Sequence, residues 1–125
     1  MRVLLDTHVL LWSIDEPHRI GREAQLVFQT EDTQIVVSVV NLWEIAIKRR
    51  RGHLTAPENL PQIVADMGHQ ILDIGVSHAW HVRTLPPIHG DPFDRMLVAQ
   101  AQIEDVPLIT HDRILERYDI RVIRA

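Results

Sequence analysis

The stretch "MRVLLDTHVLLW", residues 1–12, contains the pattern that predicts the fold. Three apolar residues, 3–5, are followed by Asp6, and an apolar pattern with helical period begins near Val9. A short apolar run of this kind is typical of a strand that is covered on both faces of a parallel sheet. The stretch therefore predicts a strand that leads into a helix, with an aspartate at the carboxyl end of the strand.

The rest of the chain repeats this alternation. Runs rich in Val, Ile and Leu predict strands at residues 3–5, 35–37, 71–74 and 108–109, with 120–123 as a fifth candidate. Stretches of helical period lie at residues 9–14, 22–30, 39–50, 60–67, 77–83 and 92–104. There is no internal repeat and no Gly/Ser linker, so we expect a single α/β domain over residues 1–125, with a parallel sheet between helical layers.

Composition places the chain among ordinary globular proteins. It is 46% hydrophobic and 24% charged, which excludes disordered and fibrous classes. Because it has no cysteine, it has no disulfide, no thiolate nucleophile and no cysteine-ligated zinc. Asp6 interrupts the apolar start of the chain, and no run is long enough to span a membrane, so we expect no export signal and a cytoplasmic location.

The negative net charge of the chain disfavours a nucleic-acid partner. The formal net charge is −4, whereas phosphate binding usually leaves a basic surface. However, Lys48, Arg49, Arg50 and Arg51 are consecutive, so positive charge is concentrated at one place. This basic run is a candidate for phosphate contacts, and equally a group of cations that neutralises a helix C-terminus.

Two aspartates follow predicted strands. Asp6 comes directly after the first strand, and Asp112 follows "PLIT" with only His111 between. Ligands of open parallel sheets bind outside the carboxyl ends of the strands, which makes both residues candidates for a site. Each has a structural alternative, because an aspartate at this place also serves as a helix N-cap.

Glu44 lies in "SVVNLWEIAIKRRRG", residues 38–52, a predicted helix with Ser38 as its N-cap. Asn41, Glu44 and Lys48 form a polar stripe at i, i+3 and i+7, and the remainder of the helix is apolar most of the way round. One interpretation is a Glu44–Lys48 pair on a solvated face. The apolar surroundings favour a buried helix whose polar stripe faces a cavity.

Asp94 lies in "HGDPFDRMLVAQA", residues 89–101. With Asp91 as N-cap and Pro92 at the first helical position, Asp94 falls on the same helix face as Leu97 and Val98. A carboxylate on an apolar stripe is unfavourable unless a cation or donors compensate it. The alternative is that Asp94 only complements the helix dipole.

All four acids are expected near one edge of the sheet. Carboxylates crowded together do not all remain ionised without positive charge. A site of oxygen ligands without cysteine favours a hard divalent ion, Mg²⁺ or Mn²⁺. The sequence therefore predicts a metal site formed by Asp6, Glu44, Asp94 and Asp112.

Four segments, in order and spacing, resemble the acidic motifs of PIN-domain nucleases, and of bacterial VapC-type toxins in particular. These segments are "LLDTHVLLW", "SVVNLWEIAIKRRRGHL", "DPFDRMLVAQA" and "PLITHDRIL". The resemblance implies a three-layer α/β/α fold with a parallel five-stranded sheet. It also implies a metal-dependent endoribonuclease that cleaves RNA, forms homodimers and is held by an antitoxin protein.

Carried over by position, Asp6, Glu44, Asp94 and Asp112 match the acids that hold the metal and perform catalysis. Thr7 and Thr110 match hydroxyl positions that order the site. Asn41 departs from the family pattern, in which a small Ser or Thr is common near this position. Asp91 is interpreted as a local helix cap.

Three other interpretations compete with the nuclease. Eight histidines admit a zinc enzyme, but there is no HExxH motif. A dehalogenase-type phosphatase would need a second aspartate at position 8, where His8 stands. A non-catalytic PIN-like interaction module is the main alternative, and the intact set of four acids argues against it. Trp12, Trp43 and Trp80 are candidates for a core or an interface, and we expect the core.

Overall fold

The computed structural model describes residues 1–125. Five strands alternate with six helices: β1 (Arg2–Leu5), α1 (Thr7–Asp15), α2 (Arg22–Gln29), β2 (Gln34–Ser38), α3 (Val39–Arg50), α4 (Leu60–Asp66), β3 (Gln70–Leu72), α5 (Val76–His81), α6 (Pro92–Glu104), β4 (Leu108–Thr110) and β5 (Val122–Arg124). Short 3-10 turns follow α1, α5 and β4. The predicted alternation is confirmed, with ends that shift by a few residues.

The sheet is entirely parallel, with strand order β3-β2-β1-β4-β5. From β1 the chain first builds outward through β2 and β3, and it then crosses back to place β4 on the other side of β1. The direction of winding therefore reverses between β1 and β4, which is where open α/β sheets leave a crevice for ligands. Asp6 follows β1 and Asp112 lies two residues beyond the end of β4.

Successive side chains of each strand point to opposite faces of the sheet, and helices cover both faces, which produces the three layers. Val3 and Leu5 of β1 contribute to one core cluster, together with residues of α1, α2 and α4. Leu4 points to the opposite face and packs in a second cluster with Leu97 and Val98 of α6. Because both faces are covered, the inner residues of the central strands are apolar, as the sequence predicts, and polar residues stand only at the strand ends. No helix is both long enough and apolar enough to cross a bilayer.

Helix α3 is tied to the end of β1 through Asn41, which is fully buried. Its Oδ1 accepts a hydrogen bond from the Ser38 backbone N–H at 2.8 Å, while Ser38 Oγ accepts one from the Val40 N–H at 3.0 Å. Asn41 Nδ2 donates to the Leu5 carbonyl at 3.0 Å and to Thr7 Oγ1 at 3.1 Å. The Asn41 amide therefore gives the Ser38 backbone N–H an acceptor at the N-terminus of α3, and it also fixes the point where β1 ends and α1 begins.

The prediction that all three tryptophans lie in the core is wrong. The exposed fraction is 52% for Trp43 and 67% for Trp80, and Trp12 is half-buried. The buried members of both core clusters are aliphatic, apart from Tyr118, because aliphatic residues pack well on strands covered on both faces.

We predict that Asn41→Ala lowers the free energy of unfolding by about 1–3 kcal/mol, because it leaves a buried carbonyl and hydroxyl without their donor. Urea denaturation followed by circular dichroism measures this change. The matched control is Asn59→Ala. Asn59 directly precedes α4, is exposed and makes no side-chain capping bond. Equal losses of stability in the two variants would contradict the role assigned to Asn41.

Candidate active site

The four predicted acids line one pocket at the carboxyl ends of β1 and β4. Asp6, Glu44, Asp94 and Asp112 share this pocket with Lys48 and Asp91. It also receives side chains from α1, from the 3-10 turn after α1 and from the segment after β4, namely His8, Trp12, Arg19, His111 and Arg113. The acids come from four different elements, so only the folded chain brings them together.

Asp6 is almost completely buried and is held by two donors. Its Oδ1 accepts from the His8 backbone N–H at 2.8 Å, which makes Asp6 the N-cap of α1. Its Oδ2 accepts from Thr110 Oγ1 at 2.6 Å, across from β4. Burial is the main cause that raises the pKa of Asp6, and these hydrogen bonds oppose that rise. Asp6 is thus both a cap and part of the pocket.

Glu44 is also buried, and its two oxygens have different partners. Oε1 accepts from Thr7 Oγ1 at 2.6 Å, and Oε2 is hydrogen-bonded to Lys48 Nζ. Burial lowers the pKa of Lys48, but the hydrogen bond and charge of Glu44 outweigh it and leave the pKa raised. The Glu44–Lys48 pair exists, but the solvated face proposed for it is wrong, because only 3% of the Glu44 side chain is exposed.

Asp94 lies at the start of α6, one turn before the buried residues Leu97 and Val98. Asp91 caps this helix, as predicted, by accepting from the Phe93 N–H at 2.8 Å. Burial, followed by the charges of Asp6, Asp91 and Glu44, raises the pKa of Asp94 to about 7. At neutral pH the Asp94 carboxyl group is therefore only partly ionised, whereas a carboxyl group in water is fully ionised.

Asp112 follows β4 and is partly exposed. Its Oδ1 accepts from the Ile114 N–H at 2.9 Å and caps the following 3-10 turn, so the capping interpretation holds here as well. Its backbone N–H donates to Thr110 Oγ1 at 3.0 Å. Thr110 therefore links Asp6 to Asp112 through one hydroxyl, which accepts from one residue and donates to the other.

His89 is a residue of the site that the sequence reasoning did not select. Its Nε2 lies 3.1 Å from Asp94 Oδ2 and 3.0 Å from Asp112 Oδ2. Its Nδ1 accepts a hydrogen bond from the Asp91 backbone N–H at 3.0 Å, so in the neutral ring the proton is on Nε2. The Tyr118 hydroxyl fixes the backbone of His89 by accepting from its N–H at 2.9 Å.

The atoms of His89, Asp94 and Asp112 that face one another all lie within 4.8 Å, a spacing that would also fit a metal ion. However, ligation through Nε2 would require the proton on Nδ1, where the Asp91 N–H points. We therefore interpret His89 as a donor that holds Asp94 and Asp112 together. The position of His89, just before the Asp91 cap, was the only sequence signal that it belongs to the site.

The basic run of residues 48–51 does not act as one patch. Lys48 lies inside the acidic pocket, with Nζ 3.5 Å from Asp91 Oδ2. Arg49 is bonded to Glu58 and to the Ala56 carbonyl, near the C-terminus of α3. Arg50 and Arg51 are exposed.

The topology and the pocket define an α/β protein whose acidic site lies where the winding of its sheet reverses. A family model described as PIN domain matches residues 3–121. The chain therefore belongs to the PIN domain family, and the three-layer fold and the family expected from the sequence are confirmed.

Individual relatives agree with this assignment. The chain is 27% identical over 119 residues to a protein named Ribonuclease VapC22 from Mycobacterium tuberculosis, which covers 93% of this chain and 91% of the relative. Among solved structures it is similar to VapBC2 of Rickettsia felis bound to a promoter DNA fragment, with a TM-score of 0.73, 16% identity, and coverage of 99% and 98%. It is equally similar to DNA-bound VapBC of Salmonella typhimurium, with a TM-score of 0.73, 20% identity and the same coverage.

We predict that Asp94 makes the stability of the metal-free protein fall as the pH rises. Its pKa is about 7 in the folded chain and near 3.8 in the unfolded chain, so between these values the folded state binds more protons. The free energy of unfolding of the wild type, minus that of Asp94→Asn, should decrease from pH 5 to pH 8. Urea titrations in EDTA measure this difference.

Asp119→Asn is the control for this prediction, because Asp119 is exposed and outside the pocket. Its difference from the wild type should not depend on pH over the same range. If the difference between the wild type and Asp94→Asn is also independent of pH, the pKa of Asp94 is not raised by folding and the prediction is wrong.

Proposed function

We propose that the protein is a metal-dependent endoribonuclease that hydrolyses RNA phosphodiester bonds. The observation that carries this proposal is the convergence of Asp6, Glu44, Asp94 and Asp112 in one pocket at the switch point of the sheet. Membership of the PIN domain family and the similarity to a protein named a ribonuclease support it.

The donor set of this pocket fits a hard divalent ion. It offers carboxylate oxygens and no sulfur, which is the chemistry that Mg²⁺ and Mn²⁺ prefer. Burial and the neighbouring carboxylates raise the pKa of Asp94, and a cation bound beside it would oppose both effects. We propose that Asp6, Asp94 and Asp112 hold the ion, and that Glu44 contributes directly or through a water molecule.

When bound, such an ion supplies a deprotonated water and neutralises charge on the phosphate. The chain itself supplies the positioning. Thr110 fixes the carboxylate of Asp6, and Thr7 fixes that of Glu44, so that neither side chain has to be ordered when substrate binds. His89 sets the spacing between Asp94 and Asp112.

We propose that cations around the pocket attract the RNA backbone. Arg113 lines the pocket and is exposed. We propose that Lys48 contributes charge inside the pocket, and that Arg49, Arg50 and Arg51 contact phosphates farther along the strand. Exposed cations of this kind raise the rate of association with an anionic substrate.

We predict that the purified protein cleaves single-stranded RNA in Mg²⁺ or Mn²⁺ and not in EDTA. Asp94→Asn should lower the rate by at least about 100-fold, because loss of residues that only support a metal ligand already costs 10- to 100-fold. Thr110→Val should lower it by about 10- to 100-fold, because Asp6 loses its donor. Gel analysis of labelled RNA measures these rates.

Asp119→Asn again serves as the control and should cleave as fast as the wild type. A second outcome is that no RNA is cut, but the divalent ions raise the melting temperature of the wild type and not that of Asp94→Asn. In that case the proposed metal site is correct and the proposed substrate is wrong. If the ions change neither activity nor melting temperature, the non-catalytic interaction module replaces the nuclease.

We further propose that the protein is the toxin of a toxin–antitoxin pair, that it is a homodimer and that an antitoxin protein inhibits it. The solved structures to which it is similar include VapBC complexes, one of which also contains promoter DNA.

We predict that expression of the wild type arrests bacterial growth and that Asp94→Asn does not. Growth curves with matched protein levels, and the mass of the purified protein in solution, test these proposals.

A further inference from the structure

Trp12 is the one tryptophan that lines the acidic pocket, and it also lines a second cleft. The second cleft has a volume of about 410 Å³ and lies along α1 and the segment after α3. His8, Trp12 and Arg19 line both cavities, so these three side chains form the wall between them. Neither the metal site nor the phosphate contacts proposed above require an indole at this position.

The flat groups around Trp12 form a connected set. The Arg19 guanidinium carbon lies 4.6 Å from the centre of the indole ring. The His111 ring meets the indole edge-on, with 5.5 Å between ring centres, and the His8 ring lies 6.3 Å away. Trp12 packs partly against the core, while His8, Arg19 and His111 are exposed. We define these four side chains as the aromatic wall.

Two members of the aromatic wall lie next to the acids in the sequence. His8 is two residues after Asp6, and His111 directly precedes Asp112. A phosphate bound at the acids would therefore have the aromatic wall beside it rather than at a distant surface.

We propose that the aromatic wall and the second cleft form a subsite for an unpaired nucleobase next to the scissile phosphate. This inference rests on the proposed ribonuclease function and adds to it a position at which one base of the RNA is held. Aromatic rings and guanidinium planes are the surfaces on which proteins stack exposed bases. A base inside a duplex has both faces covered by its neighbours, so it cannot use such a surface.

The charge of the second cleft agrees with this occupant. Arg19 is paired with Glu16 at 3.0 Å, so the cation closest to the indole is already partly neutralised. Asp15 adds another carboxylate to the lining. A second phosphate would be disfavoured there, whereas a neutral base with hydrogen-bonding edges would find stacking surfaces and polar partners.

The test measures how tightly a fluorescent RNA of about 12 nucleotides, a length within the usual range of one single-strand binding site, binds to the full chain in Mg²⁺. The chain carries Asp94→Asn so that cleavage is slow during the measurement. The RNA is offered as a single strand, as a duplex, and as single strands with one abasic nucleotide at each successive position. In this background we compare Trp12→Ala, Trp12→Phe and, as the matched control, Trp80→Ala. Trp80 is exposed on α5, and it lines neither cavity.

We expect single strands to bind more tightly than the duplex, and Trp12→Ala to weaken single-strand binding by roughly 5- to 150-fold, the range of one lost base stack. Trp12→Phe should retain most of the affinity, and Trp80→Ala all of it. At one position, an abasic nucleotide should weaken binding to the parent protein but cause no further loss in Trp12→Ala. That lack of additivity assigns the base to Trp12 rather than to another surface.

Additive losses from the abasic nucleotides and Trp12→Ala, or equal affinity for single strand and duplex, would overturn the inference. If Trp12→Ala does not fold, Arg19→Ala replaces it in the same comparison, because Arg19 is exposed and forms the outer part of the aromatic wall. If the wild type cleaves RNA while these additive losses appear, only the subsite is wrong. If the wild type neither binds nor cleaves RNA, the proposed function fails together with the subsite.

Discussion

Repulsion among buried carboxylates is the constraint on which the rest of the structure depends. Asp6, Glu44 and Asp94 are drawn into one pocket by three different elements, and burial makes their mutual repulsion stronger than it would be in water. The chain resolves this repulsion in different ways at the two sides of the pocket. Lys48 neutralises Glu44, whereas Asp94 keeps a proton up to a pH of about 7.

The hydrogen bonds around the pocket show how the fold holds such a set in place. Two hydroxyls, from Thr7 and Thr110, each donate to one buried carboxylate. Asn41 in turn donates to Thr7, and through the Ser38 capping box it connects that hydroxyl to the start of α3. Two parts of this network, the Ser38–Asn41 capping box and the Asp6 bond to the His8 N–H, are helix caps, so the site is built partly from interactions that the helices need in any case.

The sequence predicted the fold and the four acids because both depend on local pattern. Apolar strands specify the layers, the acids after two of these strands mark their carboxyl ends, and a carboxylate on an apolar helix face indicates a pocket. The sequence did not reveal His89, because nothing nearby in the chain shows that Asp112 will fold against it. It also offered capping and site formation as alternatives for Asp6 and Asp112, whereas the structure shows that one carboxylate oxygen of Asp6 makes a cap while the other meets Thr110.

The unequal neutralisation of the pocket indicates where an added cation would bind. Glu44 already has Lys48 and Thr7 as partners, so a metal ion there would have to displace an ammonium group. Around Asp94 and Asp112, the group that approaches is the imidazole of His89, which in its neutral form donates one proton but carries no charge. A divalent ion therefore gains most at the side bounded by Asp6, Asp94 and Asp112, and the aromatic wall stands at that same side because His8 and His111 flank two of these acids.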